Sequence, residues 1–376
     1  AVVARATGAL ALLCALLAVV ITGRFRRWKI FHVAAFLFVL WAGFLVFYFG
    51  MPQIPLKYWT FVQLFAVLWM VWELAPTGPR LRGLLLAYVL GGSVSALSTV
   101  ALLRTGAVMK RFAAGGVDPN DLAMMMALSL PMAWYLSITT PRPMVRWICR
   151  VYLPLGILTV ILTGSRGGMV TAMVGLLVIP LTMTNLSPGR LVGTIALLAI
   201  AGGLAVAYVP ENIVERLEST GTEVEDARLG GRFKLWVAGV HAIKYRPIMG
   251  YGTSGFMTAI KPELGPRAQV AHNSYLSVLV EEGMVGLILY MTMIVSVWMA
   301  VLRLPRLERR FALVQLSTLA IAMLPLTWED VKAVWFILAV MMGFAATYGD
   351  WSNREHEPLS VPQFAPPRRQ RPLVRR

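Results

Sequence analysis

Charge is scarce in this chain, and acidic charge most of all. Aspartate and glutamate number 18 in 376 residues, and the four charged types together make up 14%. With 58% apolar side chains and a mean hydropathy of +0.68, that excludes a soluble globule. Only Cys14 and Cys149 occur, so a disulfide framework is excluded as well. Four histidines are present, and none has a second His or Cys at metal-ligand spacing on one face. HExxH is missing, as is DxD in the polar loops. The chain also lacks GxSxG and a Walker loop, which argues against a nucleotide-sugar donor. No internal repeat and no second soluble domain of useful size are visible.

What is present is a series of apolar runs, each near the roughly 20 residues that cross a bilayer core. Eleven can be marked: Ala6 to Thr22, Ile30 to Gly50, Tyr58 to Ala75, Gly83 to Leu103, Leu122 to Thr139, Val151 to Thr163, Met169 to Thr184, Leu191 to Val209, Ser274 to Leu302, Phe311 to Trp328 and Ala333 to Tyr348. The fold class is therefore all-α: a polytopic integral membrane protein of about 11–12 transmembrane helices. Four segments follow: transmembrane helices over 1–209, a large extracytoplasmic loop over 210–271, further transmembrane helices over 272–348, and a flexible basic tail over 349–376.

Arginines mark one side. They follow the first, third, fifth, seventh and ninth runs, for example at Arg26, Arg82, Arg146, Arg190 and Arg303, and the tail ends in RRQRPLVRR. The positive-inside rule makes these loops cytoplasmic. The loops at Arg104 to Asp121 and Pro210 to Ala271 then face out. The chain begins with Ala rather than Met, and an initiating segment, one further helix, is expected ahead of it. The net charge of +17 is explained by juxtamembrane arginines facing anionic lipid, so nucleic acid is not an expected partner.

Within the large outer loop, Glu211 to Ser219 and Arg232 to Tyr245 have helical spacing. In the second, Phe233, Trp236, Val237, Val240 and Ile243 form an apolar stripe, predicting a short amphipathic helix on the outer membrane face. Arg246-Pro247 ends it, and Gly250, Gly252 and Gly255 call for an irregular backbone.

Three residues stand out as candidates for chemistry. Arg166, in LTGSRGGMV, lies at the outer start of a helix, either as an interfacial anchor or as an anion clamp beside a bared helix N-terminus. Arg232 starts the loop helix, where the helix dipole disfavours a cation. It is either functional or paired with Glu225 or Asp226. His272 precedes a long helix that Asn273 and Ser274 can cap; it is either structural or a proton acceptor near neutral pH. Asn120, Ser165, Asn273 and Lys332 are candidate substrate-binding neighbours, and Asn120 and Lys332 have a cap and an anchor as their plainer readings. Glu281 and Glu282 are adjacent, so at most one can face a cavity near His272.

Four blocks together resemble the O-antigen ligase and polymerase superfamily of bacterial membrane glycan transferases: Lys110 to Pro131, Leu162 to Met169, Arg232 to Phe256, and Ala271 to Leu287. WEDVKAVWFI, from Trp328 to Ile337, is a weaker fifth. His272-Asn273, Gly283 and Gly286 fit the ligase signature, whereas Leu287 stands where that signature has Ser or Thr. The resemblance implies a metal-independent, inverting glycosyltransferase without cofactor at the periplasmic face of the bacterial inner membrane. It implies an undecaprenyl diphosphate-linked glycan as donor, with a glycan, lipid A core or protein as acceptor, and membrane lipids as surroundings. Arg166 and Arg232 would hold the diphosphate and His272 would serve the acceptor hydroxyl. An exopolysaccharide or O-antigen polymerase, a non-catalytic membrane subunit and a lipid-linked glycan transporter are the alternative readings.

Overall fold

The computed structural model describes residues 2–23, 25–50, 55–104, 111–183 and 231–349, with isolated positions between 188 and 213. The predicted run at Leu191 to Val209, the predicted helix at Glu211 to Ser219, Glu225, Asp226 and the tail beyond Gly349 lie wholly or largely outside the described residues.

All regular structure among the described residues is helical. In chain order the helices are α1 (Val2–Thr22), α2 (Ile30–Tyr48), α3 (Leu56–Leu74), α4 (Gly78–Arg104), α5 (Pro119–Thr139), α6 (Pro143–Leu162), α7 (Arg166–Leu176) and α8 (Val178–Thr182). After them come α9 (Arg232–Ile243), α10 (Phe256–Leu264), α11 (Ser274–Val301), α12 (Arg306–Ala322) and α13 (Lys332–Tyr348). Five of the described helices, α2, α4, α5, α6 and α11, are long and apolar enough to cross a membrane. The apolar parts of α1, α7 with α8, and α13 are shorter. This is fewer than the eleven apolar runs of the sequence, of which Leu191 to Val209 lies largely outside the described residues. The helix α3 carries Lys57, Gln63 and Glu73, and α12 opens with Arg306, Glu308, Arg309 and Arg310, which dilute their apolar stretches.

The helix ends sort by charge. Lys29, before α2, and Arg303, after α11, line one cavity of about 460 Å³ with the end of α13. Arg82 of α4 donates to the Tyr348 hydroxyl at 3.1 Å, and Arg310 of α12 donates to the Leu181 carbonyl at 2.8 Å. The arginine-bearing turns therefore share one end of the bundle. The starts of α3, α5, α7, α11 and α13 lie at the other.

At the centre is α5, buried along almost its whole length against α4, α6, α7 and α12. Small residues let these helices approach, as is usual where no hydrophobic drive separates helix from lipid. A Cβ on Gly175 of α7 would stand 3.1 Å from the Ala127 carbonyl, and one on Gly156 of α6 would stand 3.0 Å from Leu130. Two buried hydroxyls of this core are satisfied by neighbouring helices: Ser129 bonds Tyr152 between α5 and α6, and the Trp134 indole donates to Thr182 at 2.7 Å.

The long helix α11 is interrupted. Gly283 has φ 68° and ψ −170°, outside helical space, and its break frees the carbonyls of Val280 and Glu281. Tyr251 and Gly252 donate their backbone N–H groups to these at 2.9 and 2.8 Å, and Met284 donates to the Pro247 carbonyl at 2.8 Å. The glycine-rich turn after α9 thus completes the broken helix, as buried backbone requires. A Cβ at Gly283 would collide with the Ile248 backbone, and the positive φ disfavours any side chain. Gly283→Ala is expected to cost about 2–3 kcal/mol in strain and overpacking, seen as a lower thermal midpoint in detergent. An unchanged midpoint would mean that the turn and the break do not depend on each other.

The loop helix α9 forms almost where expected, but its packed face differs from the predicted one. Leu235, Ala238, Gly239 and Ala242 are buried against α10 and the N-terminal part of α11, whereas Phe233 and Val240 are exposed. Both stripes have helical spacing. The choice falls to the smaller residues because Gly239 admits Leu276 and the Phe256 ring, each 3.2 Å from where its Cβ would stand.

Candidate functional site

Four structural features meet where α5, α7 and α11 begin. Asp118 caps α5 by accepting from the Asn120 and Asp121 backbone N–H groups at 2.7 and 3.4 Å. The Asn120 side-chain oxygen accepts from Arg111 at 2.7 Å and from the Ser165 hydroxyl at 3.1 Å. Ser165 is the N-cap of α7 and accepts from the Gly168 N–H at 3.3 Å. Arg111 also donates to the Thr163 carbonyl at 2.7 Å. The start of α5 is thereby tied to the start of α7, and the helix termini supply positive potential there.

Arg166 is the first residue of α7. The next two are glycines because the helix is pressed close: Gly167 lies against Met124 and Pro325, and Gly168 against Ala123. This places Arg166 beside the start of α5 and the turn between α12 and α13.

That turn is also gripped by the start of α11. Ser274 donates to the Leu326 carbonyl and accepts from the Trp328 N–H, both at 2.8 Å, and its own N–H reaches the Met323 carbonyl at 3.0 Å. The Trp328 indole donates to Asp121 at 2.9 Å, which links the turn to α5. His272 sits one step earlier with a φ of 47°, a conformation rare for a residue with a side chain. Its N–H donates to the Thr327 hydroxyl at 2.9 Å. The carbonyl of its buried neighbour Ala271 accepts from the Trp236 indole of α9 at 2.9 Å. Strain of this kind persists only when the surroundings over-determine it, and it clusters at functional sites.

Electrostatics brings Arg232 and His272 together. Burial holds the His272 imidazole below its ordinary pKa of 6.5, and the Arg232 charge lowers it further, while Asp118 and Asp121 oppose both. Burial also lowers Arg232, and Asp118 opposes it. The arginine at the start of α9, the histidine before α11 and the two aspartates of α5 therefore feel one another in a half-buried setting where charges are weakly screened.

The other expected residues divide. Asn120 and Ser165 belong to this network. Asn273 is adjacent, but its side-chain oxygen caps α11 by accepting from the Leu276 N–H at 3.0 Å. Lys332 instead lines a largely apolar groove of about 550 Å³ between α4, α5 and α13, away from Asn120. Glu281 and Glu282 part as adjacent positions must: Glu281 pairs with Lys57 at 2.8 Å, and Glu282 accepts from Thr253 at 2.8 Å. Among the described residues no group of three or more His, Cys, Asp and Glu could hold a metal ion.

Sequence reasoning missed Arg111, Asp118, Asp121 and Trp328 as neighbours of the site. Only the DPN stretch at Asp118 to Asn120 gave a signal, since it reads as a helix start. The ties to Ser165 and Trp328 are long-range and leave no local pattern.

Fold and site together define a polytopic α-helical membrane protein with a polar cluster at the end of the bundle opposite its arginine-bearing turns. Residues 151–291 match the family model described as O-antigen ligase. This match takes in Arg166, Arg232 and His272 and supports assignment to the superfamily that the sequence motifs resemble. Asn120 and Lys332 lie outside the matched stretch. No curated protein matches the chain.

Proposed function

We propose that this protein is a metal-independent, inverting glycosyltransferase of the O-antigen ligase type. It moves a glycan from an undecaprenyl diphosphate carrier to an acceptor hydroxyl at the periplasmic face of the inner membrane. The observation that carries this reading is the electrostatic cluster of Arg232, His272, Asp118 and Asp121, set beside the helix start that bears Arg166. The arginine-bearing turns at the opposite end support the orientation by the positive-inside rule. The exposed Phe233 and Val240 stripe of α9 fits a helix that rests on lipid.

In the reaction, the acceptor oxygen forms a bond to the anomeric carbon from the face opposite the carrier. The bond from that carbon to the phosphate oxygen breaks, and its electron pair goes to the diphosphate. Inversion follows. Arg166, Arg232 and the α7 N-terminus meet the charge that builds on the leaving group. His272 takes the acceptor proton, and Asp118 and Asp121 stabilise the imidazolium that forms. A polymerase shares this donor chemistry and differs only in its acceptor.

The test is transfer from an undecaprenyl diphosphate glycan by protein in nanodiscs. Arg232→Ala is expected to lower turnover about 100-fold. Arg166→Lys is expected to lower it about tenfold, because a point charge replaces a planar fork. Full activity in both variants would remove the diphosphate role.

A further inference from the structure

Beyond the arginine-rich cluster, on the far side of Thr327, lies a second polar space that the mechanism above does not use. It is a cavity of about 390 Å³ lined by Lys57, Ser277, Glu281, Thr327 and Asp330, with an apolar wall that includes Phe256. Its size falls within the range of small-molecule pockets. Met257 and Val270, both exposed, also line it, so it opens at the surface.

The cavity has the opposite charge to the first cluster. The Lys57 ammonium is shared by two buried carboxylates, Glu281 at 2.8 Å and Glu329 at 2.5 Å. Asp330 adds a third acid beside it. The lining thus holds one cation and two acids, Glu281 and Asp330, with Glu329 behind them on Lys57, which makes the space hostile to anions. Two hydroxyls meet it as well. Ser277 is fully buried, and its oxygen has no hydrogen-bond partner among the described residues. Buried hydroxyls are normally paired, so this one calls for an occupant of the cavity. Thr327 accepts from the His272 N–H on one side, which leaves its own hydrogen to donate.

We propose that this cavity is the acceptor subsite and that it takes an uncharged sugar ring. This rests on the glycosyltransferase reading given above. Carboxylates and hydroxyls suit the alternating donors and acceptors of a polyol, and the Phe256 side suits the C–H face of a ring. Thr327 is common to the cavity lining and to the hold on His272, so a sugar seated there lies next to the residue that takes its proton. The two polar spaces divide the substrates by charge: the diphosphate goes to the arginines and the neutral sugar to the acids. An acceptor ending in a uronic acid is rejected.

The experiment uses protein in nanodiscs, one undecaprenyl diphosphate glycan donor, and matched synthetic glycolipid acceptors that end in a neutral hexose or its uronic acid, in the glucose and galactose series. Wild type is expected to favour the neutral member by at least about tenfold in kcat/KM. Asp330→Asn, which keeps the side-chain shape, is expected to narrow that gap by admitting the acid. Ser277→Ala is expected to raise the acceptor KM about fivefold while donor KM stays the same. Equal use of both members by wild type, or variants that leave preference and acceptor KM unmoved, would overturn the subsite while leaving the transferase reading intact. Absence of transfer from the carrier to any acceptor, with folded protein, would overturn both.

Discussion

Replacing His272 by alanine is expected to lower glycan transfer by about 10²–10⁴-fold with little change in thermal midpoint. In the proposed mechanism the imidazole acts in its neutral form. Burial and Arg232 both favour that form and hold the pKa under 6.5. The sign is direct: a base with a lowered pKa stays unprotonated further into acid. Activity should therefore be flat through neutrality and fall only below pH 6.5. A lowered pKa also weakens the base, and Asp118 and Asp121 offset this by stabilising the protonated ring during the step. The pH profile of kcat/KM separates this role from a structural one, because a purely structural His272 would leave no acid limb attributable to it. An active His272→Ala protein with an unaltered profile would remove the histidine from the chemistry.

The second large effect is on stability. Lys57 sits at the start of α3, Glu281 in the N-terminal part of α11, and Glu329 in the turn between α12 and α13, so one ammonium ties three distant segments. Both carboxylates are buried and the lysine nearly so. Lys57→Met leaves two carboxylates without their counter-charge, and removing one partner of a buried pair costs about 3–5 kcal/mol. The expected result is a marked fall in the thermal midpoint in detergent. Glu329→Gln added to Lys57→Met should recover part of it, since fewer unmatched charges then remain. The same turn carries Thr327, so transfer should also weaken in the single variant. A midpoint that does not move on Lys57→Met would show that the ion pairs add nothing net to the fold.

Much of the helix framework was legible because its causes are local. Ser274 opens α11 where the Asn273 cap predicts, α9 begins at Arg232, and the apolar runs lie where α2, α5 and α6 form. The face of α9 was not legible. Two stripes compete along it, and the choice depends on Phe256 and Leu276, which belong to other helices. The break at Gly283 was hidden in the same way, because a glycine in an apolar run looks tolerated until the turn from Pro247 to Gly252 supplies the missing bonds. The Lys57 cluster left no pattern at all: its partners stand 224 and 272 positions away. At the site itself, Arg166, Arg232 and His272 were read from unfavourable local placement, a cation at a helix start or a lone imidazole before a cap. Arg111, Asp118 and Asp121 were missed because each sits comfortably in its own neighbourhood.

In the proposed mechanism the arginines at the starts of α7 and α9 grip a diphosphate next to His272. A structure of the protein in a lipid nanodisc with bound undecaprenyl diphosphate tests it most directly. Phosphate oxygens are expected within hydrogen-bonding distance of Arg166 and Arg232. A diphosphate seated instead at the opposite end, against Lys29 and Arg303, would contradict it.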